Sequence, residues 1–321
     1  MGRVKKLVFV AAATVMLFGL SITAWAADYP KGNIELVVGW GAGGGTDLFA
    51  RSIAAPLAKV LDTNVVVVNL PGASGAVAGD YIAQHPADGQ TIWAMTSNYP
   101  VNVAAKKTPY GLDAYDTVVR MQHDTAAIWV RKDSPFKTIE DLVAFAKANP
   151  GKLTTGGTGS ASYDEVMEAM AMEAMGIEMQ YVPYESAGKM QAAMLGGHLD
   201  CLFDEFGPIS GYLKDGSMRP LVVLADARVA GFPDLPCTKE KGWNVNIGIW
   251  RGVLVKKGTN PEIVKILAEA LVKASQDPAY QKIVRESYLD LRPGYLNSGE
   301  FHTFLDSEIK QFSATMKKLG F

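Results

Sequence analysis

The sequence has few of the residues that build metal sites or disulfide frameworks. Of its 321 residues, only two are cysteine and four are histidine, and no two histidines are four residues apart. Structural and catalytic zinc sites use closely spaced Cys and His ligands, so we expect no metal. Cys201 lies in an apolar run, and a free cysteine commonly packs as a small hydrophobe. We therefore expect Cys201 and Cys237 to be free thiols rather than a disulfide.

The chain also lacks a basic excess and the usual hydrolase motif. Its formal net charge is −2, and loss of the three basic residues Arg3, Lys5 and Lys6 with the N-terminus changes it to −5. This balance predicts neither a nucleic-acid partner nor binding to an anionic membrane surface. No G-x-S-x-G sequence occurs, and no pattern couples Ser74 or Ser160 to a histidine. A hydrolase is therefore disfavoured.

The N-terminus has the pattern of an export signal. A basic start precedes apolar residues 7–22, and Ala24-Trp25-Ala26 is a small-x-small cleavage pattern. These features predict a secretory signal peptide over residues 1–26. The alternative is an uncleaved membrane anchor, because the apolar run is almost long enough to span a bilayer.

After the N-terminus, strand-like and helix-like segments alternate. Residues 34–38, 65–68 and 91–95 are short apolar runs typical of buried strands, and helical patterns follow them. A second set begins near residues 127–130, and a third begins with the run 253–255. This alternation predicts an α/β fold with parallel sheets. We also expect Thr138 to be an N-cap with Asp141 as an acidic N3 residue, and Ser162 to form a capping box with Glu165.

Two glycine-rich turns lead from predicted strands into predicted helices. They are residues 39–47 (GWGAGGGTD) and residues 156–162 (GGTGSAS). A helix N-terminus has unpaired backbone N–H groups and partial positive charge, so such a turn is a potential anion site. The two turns lie in different α/β sets. Two facing turns would grip a carboxylate without an arginine.

A nucleotide-binding enzyme is the competing class. Residues 39–44 satisfy G-x-G-x-x-G after a strand, which is the dinucleotide-binding pattern. The second strand, however, ends at Asn69, so no acid follows it to hold a ribose hydroxyl. We therefore favour binding without chemistry, without a cofactor, over an oxidoreductase.

Several segments together resemble one family. GWGAGGGTDLFAR, VVVVNLPGASGAVAGDYIA, KLTTGGTGS, VPYESAGKMQAAMLGGHLDCLFDEFG and GIWRGVLVKKGTN are similar, in this order, to the extracytoplasmic solute receptors of tripartite tricarboxylate transporters, also called Bug or TctC-type proteins. The resemblance implies a two-lobed periplasmic-binding-protein (Venus-flytrap) fold with mixed or parallel sheets flanked by helices. It places lobe 1 at residues 27–124 and 247–321, and lobe 2 at residues 125–246.

The resemblance also implies a set of ligand contacts. Backbone N–H groups of the first turn would face a carboxylate, a tryptophan would wall the pocket, and the second turn would grip the same ligand. Two strand-end residues would add polar contacts, although both are equally typical of ordinary turns. The implied residues are Trp40, Gly43, Gly44, Gly45, Thr46, Asn98, Thr158, Gly159, Ser160 and Asp204.

Three features depart from the family pattern or extend it. Tyr163 and Asp164 stand where relatives often have histidine and leucine, and we expect Tyr163 to wall the ligand. Arg251 is predicted either to bridge a second carboxylate or to form a surface or interlobe salt bridge. Glu185 and Asp204 are candidates to receive an amino or hydroxyl group. The ligand expected from these residues is a mono- or dicarboxylate with a polar substituent.

The resemblance completes the functional expectation. It implies a monomeric periplasmic receptor that closes on a small carboxylate and delivers it to the membrane subunits of a tripartite tricarboxylate-type transporter. A receptor that signals to a membrane sensor is the alternative, because closed lobes could dock either partner.

Overall fold

We describe the chain from a computed structural model, in which residues 29–42 and 44–320 are described. The predicted signal peptide at residues 1–26 lies outside the described residues, as does Gly43 of the first glycine-rich turn. Within the described part, no helix is long and apolar enough to cross a bilayer. Cys201 and Cys237 are both buried and free, as expected.

The described residues form strands and α-helices in the predicted alternation. The strands are β1 (Ile34–Val38), β2 (Val65–Asn69), β3 (Thr91–Thr96), β4 (Tyr115–His123), β5 (Ala126–Arg131), β6 (Thr154–Thr158), β7 (Gln180–Tyr184), β8 (Cys201–Glu205), β9 (Met218–Val223) and β10 (Trp250–Lys256). The helices are α1 (Gly45–Leu61), α2 (Ala76–Gln84), α3 (Asn98–Ala104), α4 (Ile139–Ala148), α5 (Tyr163–Met175), α6 (Ala187–Leu195), α7 (Phe206–Lys214), α8 (Pro261–Ala274), α9 (Pro278–Glu286) and α10 (Ser298–Leu319).

The strands form two separate five-stranded sheets, which define two lobes. The lobe 1 sheet has the order β2-β1-β3-β10-β4, and the lobe 2 sheet has the order β7-β6-β8-β5-β9. In each sheet the first three strands are parallel, whereas β10 and β5 run antiparallel to their neighbours. The predicted fold class, a two-lobed α/β protein with mixed sheets, is confirmed.

Helices cover both faces of the lobe 1 sheet, which explains its continuous apolar strands. All six residues of β3 are buried. On one face, side chains of α1, α8 and α9 form a core with β1 and β10. On the other face, side chains of α2 and α10 form a second core. Neither face of such a strand meets solvent. Its side chains are therefore mostly apolar on both faces and do not alternate between apolar and polar.

Two connections and one helix join the lobes. The chain passes from β4 to β5 through Asp124 and Thr125, and it returns through residues 224–249 into β10. Helix α10 packs Phe301 and Leu305 into the core of lobe 1 but Phe312 into the core of lobe 2. At 22 residues, or about 33 Å, this helix is long enough to reach both. The sequence analysis placed it wholly in lobe 1, and the lobe boundaries remain our proposal.

The N-cap predicted at Thr138 is a complete capping box, whereas the capping box predicted at Ser162 is only half formed. Thr138 Oγ1 accepts from the N–H of Asp141, whose carboxylate accepts from the N–H of Thr138. At α5, Ser162 Oγ accepts from the N–H of Glu165, but the Glu165 carboxylate accepts from Ala161 instead. The prediction missed this because Ala161 adopts a left-handed conformation, with φ of 47°, in the tight turn before the helix.

A half-buried carboxyl group, that of Glu308, fixes α10 against β10. Trp250 Nε1 donates to Glu308 Oε2 over 2.6 Å. Burial raises the pKa of Glu308 to about 8, although the bond from Trp250 and the charge of Arg120 act to lower it. The folded chain therefore holds a proton on Glu308 at pH values at which the unfolded chain has released it.

We expect Glu308→Gln to remove a pH-dependent loss of stability. Between the unfolded pKa, near 4.5, and the folded pKa, near 8, the native state binds more protons, so its unfolding free energy falls as pH rises. Glutamine keeps an acceptor for Trp250 and does not titrate. Urea unfolding at pH 5, 7 and 9 measures this effect. From pH 5 to pH 9, the unfolding free energy of the variant relative to that of wild type should rise by more than about 1 kcal/mol. Exposed Glu269→Gln is the control, and equal slopes for both variants would contradict the expectation.

Candidate functional site

Three turns meet at one edge of the lobe 1 sheet. Because β1, β2 and β3 are parallel, their carboxyl ends lie together, and ligands of open α/β sheets bind outside such ends. Strand β10 runs in the opposite direction, so its first residues lie at the same edge, with Arg251 opposite Thr96. We call this the lobe 1 edge.

The first turn ends at an open helix N-terminus. Gly44 is the N-cap of α1 and no side chain caps the helix there, while Gly44 and Gly45 are exposed. Thr46 is buried. Asp47 is buried too, and it pairs with Arg51 at 2.9 Å, so it belongs to the first helical turn as expected. The N–H groups of Gly44 and Gly45 therefore remain accessible to an anion from solvent.

The turn after β2 contributes a second element that the sequence analysis did not assign to the site. All four residues 72–75 have positive φ, which is ordinary for the two glycines but strained for Ala73 and Ser74, and such strain often marks functional sites. A Cβ on Gly39 would lie 2.8 Å from Gly75 Cα, so the first two turns touch through their backbones. The available sequence signal was the PGASG run, which resembles the first turn in its glycine content.

Two predicted residues line a narrow depression at the lobe 1 edge. Trp40 and Asn98 border it together with Ser74, Gly75 and Asn102. Asn102 is buried and donates to the carbonyl of Ser74 over 2.8 Å. The depression therefore brings together Trp40 of the first glycine-rich turn, Asn98 after β3, and the strained turn at residues 72–75 after β2.

The second predicted turn lies at the corresponding edge of lobe 2. Thr158 ends β6, Gly159 has φ of 76°, and Ser160 is exposed. The amide of Thr158 and its hydroxyl donate to Asp164 over 2.7 and 2.6 Å. Asp164 thus occupies donors that would otherwise face an anion, and Ser160 is the accessible part of the turn.

The two edges adjoin. Lys107, which follows α3 in lobe 1, donates from Nζ to the carbonyl of Ala161 in the second turn, over 2.8 Å. At the other end, the N–H of Phe206 in lobe 2 donates to the carbonyl of Thr125 in the first connection. The two edges are therefore in contact at these points, and the ligand space expected from the sequence would lie between the predicted turns.

Tyr163 does not wall that space. Its side chain is fully buried, its hydroxyl donates to the carbonyl of Gly248 over 2.9 Å, and its ring packs on Phe312. Tyr163 therefore joins lobe 2 to the second connection and to α10, and we do not retain it as a ligand contact. Glu185, by contrast, is exposed to solvent. Its carboxylate is paired with Lys189 on the surface.

Arg251 forms a buried ion pair within lobe 1, whereas the salt bridge expected as the alternative to a ligand contact was a surface or interlobe one. Its Nη1 pairs with Asp124 Oδ2, and the two residues are only 6% and 3% exposed. A Cβ on Gly45 would lie 2.3 Å from Arg251 Nη2. The guanidinium group therefore lies against the N-terminus of α1. Its positive charge and the positive end of the helix dipole meet there, beside the open N–H groups.

Acidic side chains face this cation from lobe 2. Asp204 and Glu205 end β8 and are 7% and 4% exposed. Burial raises the pKa of both carboxyl groups, and each is raised further by a neighbouring acid. Arg251 lowers the pKa of Glu205, so the two lie within electrostatic range. The sequence analysis named Asp204 but missed Glu205 and Asp124; Glu205 ends the apolar strand β8, whereas Asp124 follows the polar end of β4 and has no such signal.

Comparison with known proteins places the chain in a family. A family described as "Tripartite tricarboxylate transporter family receptor" matches residues 49–321. The chain belongs to this family. A protein encoded in the gbd 5′ region of Cupriavidus necator is 32% identical to the receptor over 97% of this chain and 94% of its own length.

Solved structures agree with this assignment. A TctC solute binding protein from Polaromonas, crystallised without ligand, is 28% identical and superposes with a TM-score of 0.78, covering 90% of the receptor and 99% of that chain. An R. palustris protein solved with adipate is 25% identical, with a TM-score of 0.77 over 91% of the receptor and 99% of that chain. The family is one of solute-binding receptors and not of enzymes, in agreement with the predicted class.

The structure also explains why the glycine pattern is a poor dinucleotide site. Asn69, at the end of β2, donates to the carbonyl of Trp40 and to Asp47, and it accepts from Arg51. These three bonds hold the first turn against β2. The position at which a dinucleotide fold has its ribose-binding acid is therefore occupied by an amide with a structural role.

We expect Asp124→Asn to destabilise the receptor strongly. The substitution leaves the buried Arg251 guanidinium without its counter-ion, and breaking a buried pair by removing one partner costs about 3–5 kcal/mol. Urea unfolding of the ligand-free protein measures this cost. Asp306→Asn removes an exposed pair with Lys310 and is the matched control, with an expected cost below about 1 kcal/mol. Equal costs for the two variants would show that the buried pair is not an anchor.

Proposed function

We propose that the receptor captures a small carboxylate between its lobes in the periplasm and delivers it to the membrane subunits of a tripartite tricarboxylate-type transporter. The observation that carries this proposal is the open N-terminus of α1, with exposed Gly44 and Gly45 beside the guanidinium group of Arg251. Backbone N–H groups, a helix dipole and a cation together favour an anion at this point. The proposed contacts are Trp40, Gly43, Gly44, Gly45, Thr46, Asn98, Gly159, Ser160, Asp204 and Arg251, whereas Thr158 is not retained because Asp164 occupies its donors.

Further support comes from the family and from the sequence. The R. palustris relative was solved with adipate, which is a carboxylate. The predicted signal peptide agrees with export to the periplasm, where a receptor of this family would meet its solute. We further propose that the receptor acts as a monomer.

The proposed mechanism is closure of two lobes on one ligand. The lobe 1 turn binds the carboxylate, and Ser160 of the lobe 2 turn completes its coordination when the lobes close. To convert a rare closed form into the dominant one, the ligand must favour it by about 5 kcal/mol. Hydrogen bonds to a charged group contribute about 1.5–3 kcal/mol each, so a few donors suffice. The transporter would then recognise the closed shape.

Thermal stabilisation by carboxylates tests the proposed function. Protein beginning at Ala27 is unfolded and refolded to remove any carried ligand, and its Tm is recorded with mono-, di-, tri- and aromatic carboxylates. A true ligand at about 100 times its Kd should add about 2.7 kcal/mol of stability. NAD and NADP are the controls. A Tm increase with a dinucleotide alone would replace the proposal with the enzyme alternative.

A backbone substitution tests where the carboxylate binds. Gly44 has φ of −77°, which proline also adopts, so Gly44→Pro removes one N–H donor without forcing the backbone. We expect calorimetric titration with the stabilising carboxylate to give at least a tenfold higher Kd, because a charge-assisted bond is lost.

Gly44→Ala is the matched control for this variant. A Cβ at this position would be 3.7 Å from the nearest atom, the carbonyl oxygen of Gly41, which is an ordinary contact. The alanine variant keeps the N–H and should bind nearly as wild type. If both variants bind with unchanged Kd, the carboxylate does not use the N-terminus of α1.

A further inference from the structure

Three carboxyl groups, which we call the lobe 2 acid cluster, lie at the edge of the lobe 2 sheet. They belong to Asp164, Asp204 and Glu205. Strands β6 and β8 are parallel neighbours, with Gly156 opposite Leu202, so their carboxyl ends and the residues that follow them lie side by side. Asp204 accepts from the N–H of Glu205 over 2.9 Å and from Gln191 over 3.3 Å.

No cation within the described residues neutralises this cluster. None of its three carboxyl groups has a Lys, Arg or His nitrogen within ion-pair distance, 4.0 Å, in the described part of the chain. Arg251 is paired with Asp124. Arg292 donates to the carbonyls of His123 and Asp124 and to Asn246, not to the cluster. Buried acids normally have a partner, so the cluster either holds protons or lacks a positive group.

Two buried polar atoms beside the cluster have no hydrogen-bond partner in the described part of the chain, which is an independent indication that a ligand binds here. Asp124 Oδ1 and Arg251 Nε are buried, and neither has a hydrogen-bond partner among the described residues. Both residues lie within electrostatic range of Glu205. Buried polar atoms are almost always hydrogen-bonded, so an acceptor and a donor are left open where the lobes join. The Arg251 donor suits an anion, and the Asp124 acceptor suits a cation.

We propose that the solute is a zwitterion of the α-amino acid type, whose carboxylate binds the lobe 1 edge and whose ammonium group binds Glu205 and Asp204. This inference rests on the proposed function, because it assigns the second charge of the ligand bound there. The two lobes then attract opposite ends of one molecule. Closure brings the ammonium group to the acid cluster and supplies its missing counter-ion.

The alternative occupant is a second carboxylate of the ligand. The acid cluster could bind it only if the carboxyl groups of the cluster were protonated. Burial raises the pKa of Asp204 and Glu205, and the acids around them raise it further, so protonation is a real competitor. The charged and titratable groups that face the pair are Asp124, Tyr163, Asp164, Glu168, Arg251 and Arg292.

The two occupants have opposite pH dependence. An ammonium ligand binds ionised carboxylates, so its affinity falls when acid protonates the cluster. A second carboxylate needs protonated donors, so its affinity rises in acid. Amino acids keep their ammonium charge throughout pH 5.5 to 8, so the trend between these values reports on the protein.

Matched ligand pairs test the inference by calorimetric titration of ligand-free protein. The pairs are alanine with lactate, aspartate with malate, and glutamate with 2-hydroxyglutarate, in which a hydroxyl replaces the ammonium group. We expect the amino acid of at least one pair to bind at least tenfold more tightly at pH 8, with a smaller ratio at pH 5.5. Equal or tighter binding of the hydroxy acids, or binding of adipate alone, would overturn the inference.

Glu205→Gln tests the position of the ammonium site. The substitution keeps the side-chain shape and removes one charge, so the amino-acid Kd should rise about tenfold. Glu178→Gln makes the same change at an exposed residue beyond the opposite end of β6 and should leave the Kd unchanged. If Glu205→Gln does not fold, Asp204→Asn is used in its place. The titrations of the wild-type protein with matched ligand pairs test the inference in either case. An unchanged Kd in a folded variant would overturn the assignment.

The two proposals fail in distinguishable ways. If no carboxylate of any class binds, the proposed function fails and the zwitterion inference fails with it. If dicarboxylates or hydroxy acids bind and amino acids do not, the receptor function stands and only the zwitterion inference is lost.

Discussion

The buried pair between Arg251 and Asp124 is the contact on which the arrangement of the lobes depends. Asp124 lies in the first connection between the sheets, and Arg251 lies at the start of β10, where the chain has returned to lobe 1. The pair therefore fixes the two connections to each other. Because the guanidinium group also lies against Gly45, the same contact positions a positive charge at the N-terminus of α1. The structural anchor and the candidate anion site share one side chain.

Helix α10 adds a constraint that a simple hinge between two lobes lacks. Its first half packs in the core of lobe 1, and Phe312 packs in the core of lobe 2 beside Tyr163. Tyr163 in turn bonds to Gly248 in the second connection. The closure that we propose would therefore have to preserve these contacts and rotate the lobes about them, or exchange them for others. The side of the molecule formed by α10 is the natural axis for such a motion.

The distribution of charge across the site is asymmetric. Lobe 1 presents backbone donors, a helix dipole and Arg251, whereas lobe 2 presents Ser160 together with a cluster of buried acids. Asp164 also occupies the donors of Thr158, so lobe 2 has fewer free donors than its glycine-rich turn suggests. This difference between the lobes agrees with the proposal that lobe 1 binds a carboxylate and lobe 2 a different polar group.

The sequence by itself determined the local features of the receptor. The alternation of strands and helices, the capping box at Thr138 and the glycine-rich turns depend on residues a few positions apart, and the structure contains them all. The resemblance in motif order correctly indicated the family. Only the tertiary structure decided the partner of Arg251, the packing of Tyr163, the span of α10 and the position of Glu205. These depend on contacts between residues up to about 150 positions apart, such as Asp124 with Arg251 and Tyr163 with Phe312, which no local pattern encodes.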